Sequence, residues 1–518
     1  MNESTTAVAA DSSTTPSLGL TGGKMALPRR KHWGGRTFRF SLDSFRLGAN
    51  ISLRRFSVTE AALLLMMAYL TSKGLGVIRQ SLFNALFGTG PDATAYFAAF
   101  NLPDTLFNLI AGGALSSAFI PVFISYEQRQ GNREAWRLAS LVFNVLLVSF
   151  AAVILLAELL APQFVNTLLV PGLPPYEKAL TTTLTRIMLL HSLILGLGTV
   201  ATAILNSKQQ FLLPALSIAI YDFGLIGGLL VSLAFPRVGI YGPTFGLLVS
   251  AFCQVGVLIP ALLKQGVRYT FLWNLNHPGL REVMGLLIPN LIAVGIASAT
   301  GIIDIAFASY LPDTASIAAI KNASLLYALP AVLLAQAVGQ ALLPQITTQA
   351  TQGRYLRMRY TILKIGGGTV LLSVPAALAL YFLGKPAIYI FFQHGAFTAH
   401  SSTLTSTALL GYAIGLPAVT ADMLLILCFY ALKDARTPLF TNIGMLVLHV
   451  ALLAILVKVF TGPQAILGIL LTTAVTGTAE AVLLCLILFL QLRRKVKTDK
   501  GAQRLQKRRL QTRTQSLS

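Results

Sequence analysis

The chain has 518 residues, of which 55% are hydrophobic and only 11% charged, with a mean hydropathy of +0.70. Soluble domains carry roughly 25% charged residues, so an ordinary soluble fold is excluded. A formal charge of +22 would suggest nucleic acid in a soluble protein; its placement here points to a membrane surface, and no nucleic-acid partner is expected.

Residues 1–57 are polar, then basic, and lack the short apolar core and cleavage site of a signal peptide. They read as a largely disordered cytoplasmic tail. Apolar runs long enough to cross a bilayer follow, without the alternation of an outer-membrane barrel. The first, 58–88, contains SKGLGVIRQ, which places Lys73 and Arg79 at membrane depth, where a charge is costly unless it meets water, a partner or a substrate. The second, 92–124, has Asp104 beside Pro103, where the carboxylate is expected to bond kinked backbone. The third and fourth are 136–160 and 179–205. Arg186 and His191 in the fourth are five apart and off one helical face, so Arg186 is expected to snorkel or pair with a carboxylate. The fifth, 211–235, holds Asp222, and the sixth is 240–263. After a linker, 266–281, the seventh (282–310) carries Asp304 and the eighth (315–345) carries Lys321. The ninth is 360–383. The last three are 400–431 with Asp422, 437–457 with His449 and 464–491 with Glu480; a basic tail, 492–518, ends the chain. Asp222, Asp422 and Glu480 fit no motif and read as protonated or paired interhelical groups, with a proton relay as the alternative. Cys253, Cys428 and Cys485 are too far apart for a metal motif and read as packing residues.

The cations orient this chain. If both basic tails face the cytoplasm, the loops on that side hold thirteen Lys and Arg and the opposite loops four, which supports both termini inside and an even number of spans. The two halves also resemble each other. Pro103 pairs with Pro330, Gly131 with Gly353, Lys208 with Lys433 and Pro214 with Pro438, at offsets of 227, 222, 225 and 224. The expected fold is an all-α polytopic membrane protein of about twelve helices, in two parallel six-helix repeats (58–265 and 282–491) around a central cavity.

SKGLGVIRQSLFNALFGTGPDATAYFAAFNLPDTL, NHPGLREVMGLLIP, IFFQHGAFTAHSSTLTSTALLGYAIGLPA and FYALKDARTP resemble stretches of the MurJ/MviN lipid II flippases, of the multidrug/oligosaccharidyl-lipid/polysaccharide exporter superfamily. Many members have fourteen helices, so this chain looks like a divergent twelve-helix core. The resemblance implies a flippase of the bacterial cytoplasmic membrane. It would move a polyprenyl-pyrophosphate-linked peptidoglycan precursor, lipid II, between leaflets by alternating access, with anionic lipids at the basic tails and cell-wall synthesis proteins as further partners. Lys73 and Arg79 match two cationic positions of the family's first helix, and with Lys321 they are the substrate-binding candidates. Lys73 and Arg79 lie about 600° apart around a helix, 240° net, so they need not share a face unless α-helix geometry bends near Gly74 and Gly76. Asp304 sits where the family has a residue implicated in sodium binding and is the candidate cation-binding residue, with sodium or proton coupling expected and no other cofactor.

Several family charges are missing. Phe107 and Asn108 stand near the second-helix cation, Leu325 at the eighth-helix Arg, Gln80 at a first-helix carboxylate and His449 near an eleventh-helix Asn. Export of another polyprenyl-linked saccharide or amphiphile, or a non-transporting envelope scaffold, are the alternatives. No nucleophile–base pair stands out and the chain has no Walker A motif, so neither an enzyme nor an ATP-driven pump is expected.

Overall fold

The computed structural model describes residues 58–111, 114–434, 436–460 and 464–515, and the reading of residues 1–57 lies outside them. The first half holds α1 (Val58–Phe87), α2 (Pro91–Ala111), α3 (Ala114–Gln130), α4 (Asn132–Phe164), α5 (Pro175–Ser207), α6 (Leu212–Ala234) and α7 (Tyr241–Lys264). The second holds α8 (Pro278–Ala308), α9 (Ser316–Ala331), α10 (Val338–Thr351), α11 (Tyr355–Thr361), α12 (Gly367–Phe392), α13 (Ala399–Ala431), α14 (Arg436–Val459) and α15 (Ala465–Gln515). π-helical turns join α9 to α10 and α11 to α12. Nine helical stretches among the described residues are long and apolar enough to cross a membrane. They fall on spans three to six and eight to twelve; α1, α2 with α3, and α8 occupy the other three, which is consistent with twelve.

Local chemistry sets many boundaries. Pro91, Pro175 and Pro278 each open a helix, where the missing N–H costs nothing. Thr398 caps α13 by accepting from the Ser401 N–H. The basic tail is not a separate arm: α15 continues through it to Gln515, in a stretch rich in Arg, Lys, Gln and Leu and free of proline.

The internal repeat is visible in the packing. In the first half α6 packs on α7, α5 on α7, α1 on α6 and α2 on α5. In the second half the corresponding pairs are α14 on α15, α13 on α15, α8 on α14 and α9 on α13. The turns repeat as well. Gln209 (φ 60°) and Lys433 (φ 61°) hold the same left-handed position in each half, which corrects the Lys208–Lys433 pairing by one residue, and Gly131 (φ 84°) and Gly353 (φ 71°) share another.

The cores show how the halves meet. One apolar cluster draws on both, joining Phe83, Phe97, Leu169 and Leu225 to Ile317, Phe392, Phe397 and Leu404. Toward the basic loops the cores separate: one contains Phe123, Trp136, Leu138 and Val283, the other Ile346, Met358, Phe429 and Leu488. The first turns of α8 therefore pack with the first half, although the outer part of α8 packs on α14.

Candidate substrate cavity

A cavity of ≈ 1010 Å³ is lined by α1, α2, α3, α5, α6 and α7, with α9 closing it from the second half. Lys73, Arg79 and Lys321 all line it. On α1 the lining residues are Ser72, Lys73, Gly76, Arg79, Gln80 and Phe83, a three-and-four spacing that makes one broad helical face. Helix α1 runs unbroken through Gly74 and Gly76, so both cations reach the cavity from a continuous helix.

Arg79 is not a bare cation. Its Nη1 donates to Asp222 Oδ1 at 2.7 Å, and the Ser72 hydroxyl donates to Asp222 Oδ2 at 2.5 Å. Asp222 is buried, whereas the Arg79 side chain keeps a quarter of its surface exposed to the cavity. A guanidinium has five donors, so one bond to Asp222 leaves capacity for an anion. Lys321 lies over the Phe100 ring at 5.9 Å. It also interacts electrostatically with Asp104, which hydrogen-bonds Asn108. In place of the expected bond to kinked backbone, the Asp104 carboxylate lines the cavity and is met by the Asn108 side chain; the Pro103 carbonyl separately accepts from the buried Ser192 hydroxyl at 2.7 Å. His191 also borders the cavity, its ring packed between Phe100 and Tyr221, with neither ring nitrogen hydrogen-bonded. Phe107, Asn108 and Leu325 line the same space. Three cations and two carboxylates thus face a cavity where the family pattern has more positive charge.

One end of this space approaches the basic-loop side, at Asn206, Pro214 and Gln254. At the other end the halves are joined. Gln80 and Asn84 on α1 both donate to Asn322 Oδ1 on α9, at 2.9 and 2.7 Å, and all three side chains are buried. Beyond this amide cluster the Ala396 N–H donates to the Ala85 carbonyl, Thr89 and Ser401 share a hydrogen bond, and the Gly172 N–H donates to Ser309 Oγ. Gly88 (φ +59°) and Gly395 (φ +58°) make the approach possible: a Cβ on either would meet a backbone oxygen of the opposite half at 2.4 or 2.2 Å.

Asp304 is elsewhere. It accepts from His449 Nε2 at 2.8 Å, tying α8 to α14, and it also hydrogen-bonds Thr473. His449 Nδ1 lies 3.2 Å from Thr476 Oγ1. The residues do not fit a sodium ion, because a hard cation needs several oxygens and here an imidazole covers the carboxylate. Among the described residues no three His, Cys, Asp or Glu converge as metal ligands. Asp422 and Glu480 interact across the α13–α15 contact. Arg186 is near Glu158, with Nε 3.9 Å from Oε2. Of the cysteines only Cys428 is buried; Cys253 and Cys485 are exposed.

Two titratable groups in the loops between helices are perturbed. Burial pushes His277 below the ordinary histidine value, partly opposed by the Glu134 charge. At Asp434 burial acts upward, but hydrogen bonds from Gln491, Thr437 and the Arg436 backbone outweigh it and hold the carboxyl low.

A duplicated helical bundle with a charged cavity against its internal interface defines a membrane transporter fold. A transporter described as an inward-facing multidrug resistance MATE family member of the MOP superfamily shares it, with TM-score 0.72 and 13% identity, covering 85% of this chain and 99% of its own. The model of the family described as lipid II flippase MurJ matches residues 83–512, and the chain belongs to that family. The lipid II flippase MurJ of Burkholderia cenocepacia is 30% identical over 387 residues, covering 73% of this chain and 74% of its own. That of Thermosipho africanus is 27% identical over 421 residues, covering 81% and 84%. A solved structure of a lipid II flippase MurJ, in an inward closed conformation, aligns with TM-score 0.71 and 25% identity, covering 83% of this chain and 90% of its own.

Proposed function

We propose that this protein is a flippase that moves lipid II across the bacterial cytoplasmic membrane by alternating access. The observation that carries the reading is a cavity with Lys73, Arg79 and Lys321 on its wall, in a chain of the lipid II flippase family. The pyrophosphate of such a lipid is anionic, and guanidinium and ammonium groups form strong charge-assisted bonds to phosphate. Separate cores on the basic-loop side and a shared core at the other end support a state open toward the cytoplasm. Both termini are cytoplasmic in this reading, on the strength of the cation asymmetry. The basic tails meet anionic lipid, and cell-wall synthesis proteins are further partners. The halves 58–265 and 282–491 rock against each other. Coupling is to a proton or to the membrane potential, since the imidazole on Asp304 argues against sodium there.

Complementation of a flippase-depleted bacterium tests the function. The full chain should restore growth and the Arg79→Ala chain should not; failure of the wild-type chain to restore growth while folded in the membrane would reject the reading. Phe107, Asn108 and Leu325 on the cavity wall favour one alternative, a different polyprenyl-linked lipid with a less anionic headgroup. Flipping of such a lipid but not lipid II in proteoliposomes would establish it.

A further inference from the structure

The linker between the halves is not a free loop. From Val267 to Asn274 it is non-helical, and it is held along α4 by two buried polar side chains. Ser140 Oγ accepts from the Thr270 N–H at 3.2 Å while donating to the Trp136 carbonyl of its own helix at 2.8 Å, and the Arg268 carbonyl lies 3.4 Å away. Asn144 Nδ2 donates to the Leu272 carbonyl at 3.0 Å, and Asn144 Oδ1 accepts from the Tyr269 hydroxyl at 2.7 Å. Ser140 and Asn144 are four residues apart, hence on one face of α4, and they lie inside the predicted span 136–160. Apolar helices of membrane proteins seldom spend a Ser and an Asn on a buried face without a partner. Here the partner is irregular backbone, which survives at membrane depth only where protein groups satisfy its N–H and C=O.

The two edges of this ribbon differ. Leu272, between the exposed Phe271 and Trp273, packs into the first half's core, and Val267 does so at the start of the ribbon, before the alternation begins. Phe271 is 67% exposed, Trp273 49% and Leu275 55%, every second residue on the opposite edge. Lys264, Arg268 and Arg281 are exposed around it. Aromatic residues with neighbouring cations are the composition found at the headgroup boundary.

We propose that residues 269–275 form a membrane-interface ribbon: Phe271, Trp273 and Leu275 insert between the headgroups of the leaflet on the basic-loop side, and Lys264, Arg268 and Arg281 contact its anionic lipids. The occupant is lipid, because the adjoining ends of α7 and α8 also expose apolar side chains, Ile259, Leu286 and Ile288, and the ribbon's flanking charge complements an anionic leaflet. The ribbon would seat the inter-half connection at a fixed depth beside α4. The proposal rests on the membrane-spanning reading and not on the identity of the transported lipid.

The test uses the purified full chain in nanodiscs of phosphatidylglycerol or phosphatidylcholine containing lipids brominated high on the acyl chain. Trp273 is isolated as the difference in emission between wild type and Trp273→Phe. Its emission should lose at least half its intensity to the brominated lipid and resist aqueous acrylamide. Quenching should be stronger in phosphatidylglycerol, and an Arg268→Gln, Arg281→Gln chain should lose that excess. Strong acrylamide quenching without bromolipid quenching would overturn the proposal, placing the ribbon in water or ready for a protein partner. Equal quenching in the two lipids would overturn the anionic contact. Flipping measured on the same discs' protein in proteoliposomes is a separate readout, so failure of the flippase reading would leave these outcomes interpretable.

Discussion

Arg79 and Asp222 form an ion pair at 2.7 Å between α1 and α6, and a hydrogen bond of 2.8 Å joins Asp304 and His449 between α8 and α14. Asp304 stands 225 residues after Arg79, within the offsets of the internal repeat; His449 stands 227 after Asp222, one helical turn beyond Leu446, which the Pro214–Pro438 offset of 224 pairs with Asp222. The duplicated unit thus keeps a polar clasp between its first and fifth spans, with the acidic partner on opposite helices in the two halves. Only the Arg79 clasp lines the cavity.

Arg79→Ala should therefore cost more than transport. It leaves Asp222 buried with only Ser72, and removing one member of a buried pair typically costs about 3 kcal/mol. Arg79→Ala should lower the melting midpoint in detergent and abolish flipping. An Arg79→Ala, Asp222→Ala chain should recover the midpoint but not the flipping. Recovery of both would show that Arg79 acts only as a clasp. Arg79→Lys should retain part of each, since an ammonium keeps the charge but not the fork geometry.

The second clasp leads to an expectation about ions. With His449 seated on Asp304, replacing sodium by choline should leave the flipping rate of the wild-type chain unchanged. His449→Asn would put an amide oxygen beside the carboxylate, the residue type the family pattern has nearby. Sodium should stabilise that variant if the geometry otherwise suits a cation. A sodium requirement in the wild-type chain would contradict the reading of this contact.

Much of this was legible in the sequence. Hydropathy showed the spans, and the paired motifs showed the duplication, because membrane depth and helical period both act on local composition. Lys73, Arg79 and Lys321 were legible as charges too costly to be incidental. Their partners were not: Asp222 lies 143 residues from Arg79, and no local pattern specifies which helix it meets. The repeat held a signal that could have pointed to it, since His449 lies within one helical turn of the position equivalent to Asp222 and Asp304 stands 225 residues after Arg79. The linker ribbon was hidden for a similar reason, because Ser140 and Asn144 look like ordinary polar interruptions until the backbone they hold is seen.

The amide cluster gives a prediction about alternating access. Gln80, Asn84 and Asn322 form a buried polar link between halves at the closed end of the cavity, and an outward opening must break it. Asn322→Leu leaves two buried amides without their shared acceptor, at about 1–3 kcal/mol. That penalty falls on the state described here, so a cysteine introduced at Ser401 should be labelled from outside faster in Asn322→Leu than in its parent. Gly395→Val should increase labelling further, because its side chain would meet the Ala85 carbonyl. Unchanged labelling in both would show that the halves do not separate at this end.

His277 gives a pH prediction outside the membrane-spanning segments. It precedes α8, its ring lies 5.8 Å from that of Tyr126, and its Nδ1 is buried without a hydrogen-bond partner. Burial favours the neutral ring, and the Glu134 charge opposes this only in part, so the folded state holds this proton more weakly than the unfolded chain does. Between the ordinary histidine value and the lowered folded value the unfolded chain binds more protons, and stability rises with pH there. The contribution is complete above the ordinary value and is lost as the pH falls from it toward the lowered one. A charged ring would also face the N-terminus of α8, whose dipole disfavours a cation. Melting midpoints in detergent, followed from about pH 8 to about pH 5, should fall more steeply for the wild-type chain than for His277→Gln, which does not titrate. Because Tyr126 and the start of α8 join the first half to the linker, proteolysis at the linker should increase over the same range in the wild type and less in the variant. Parallel midpoint curves for the two chains would mean that His277 does not titrate differently in the folded protein.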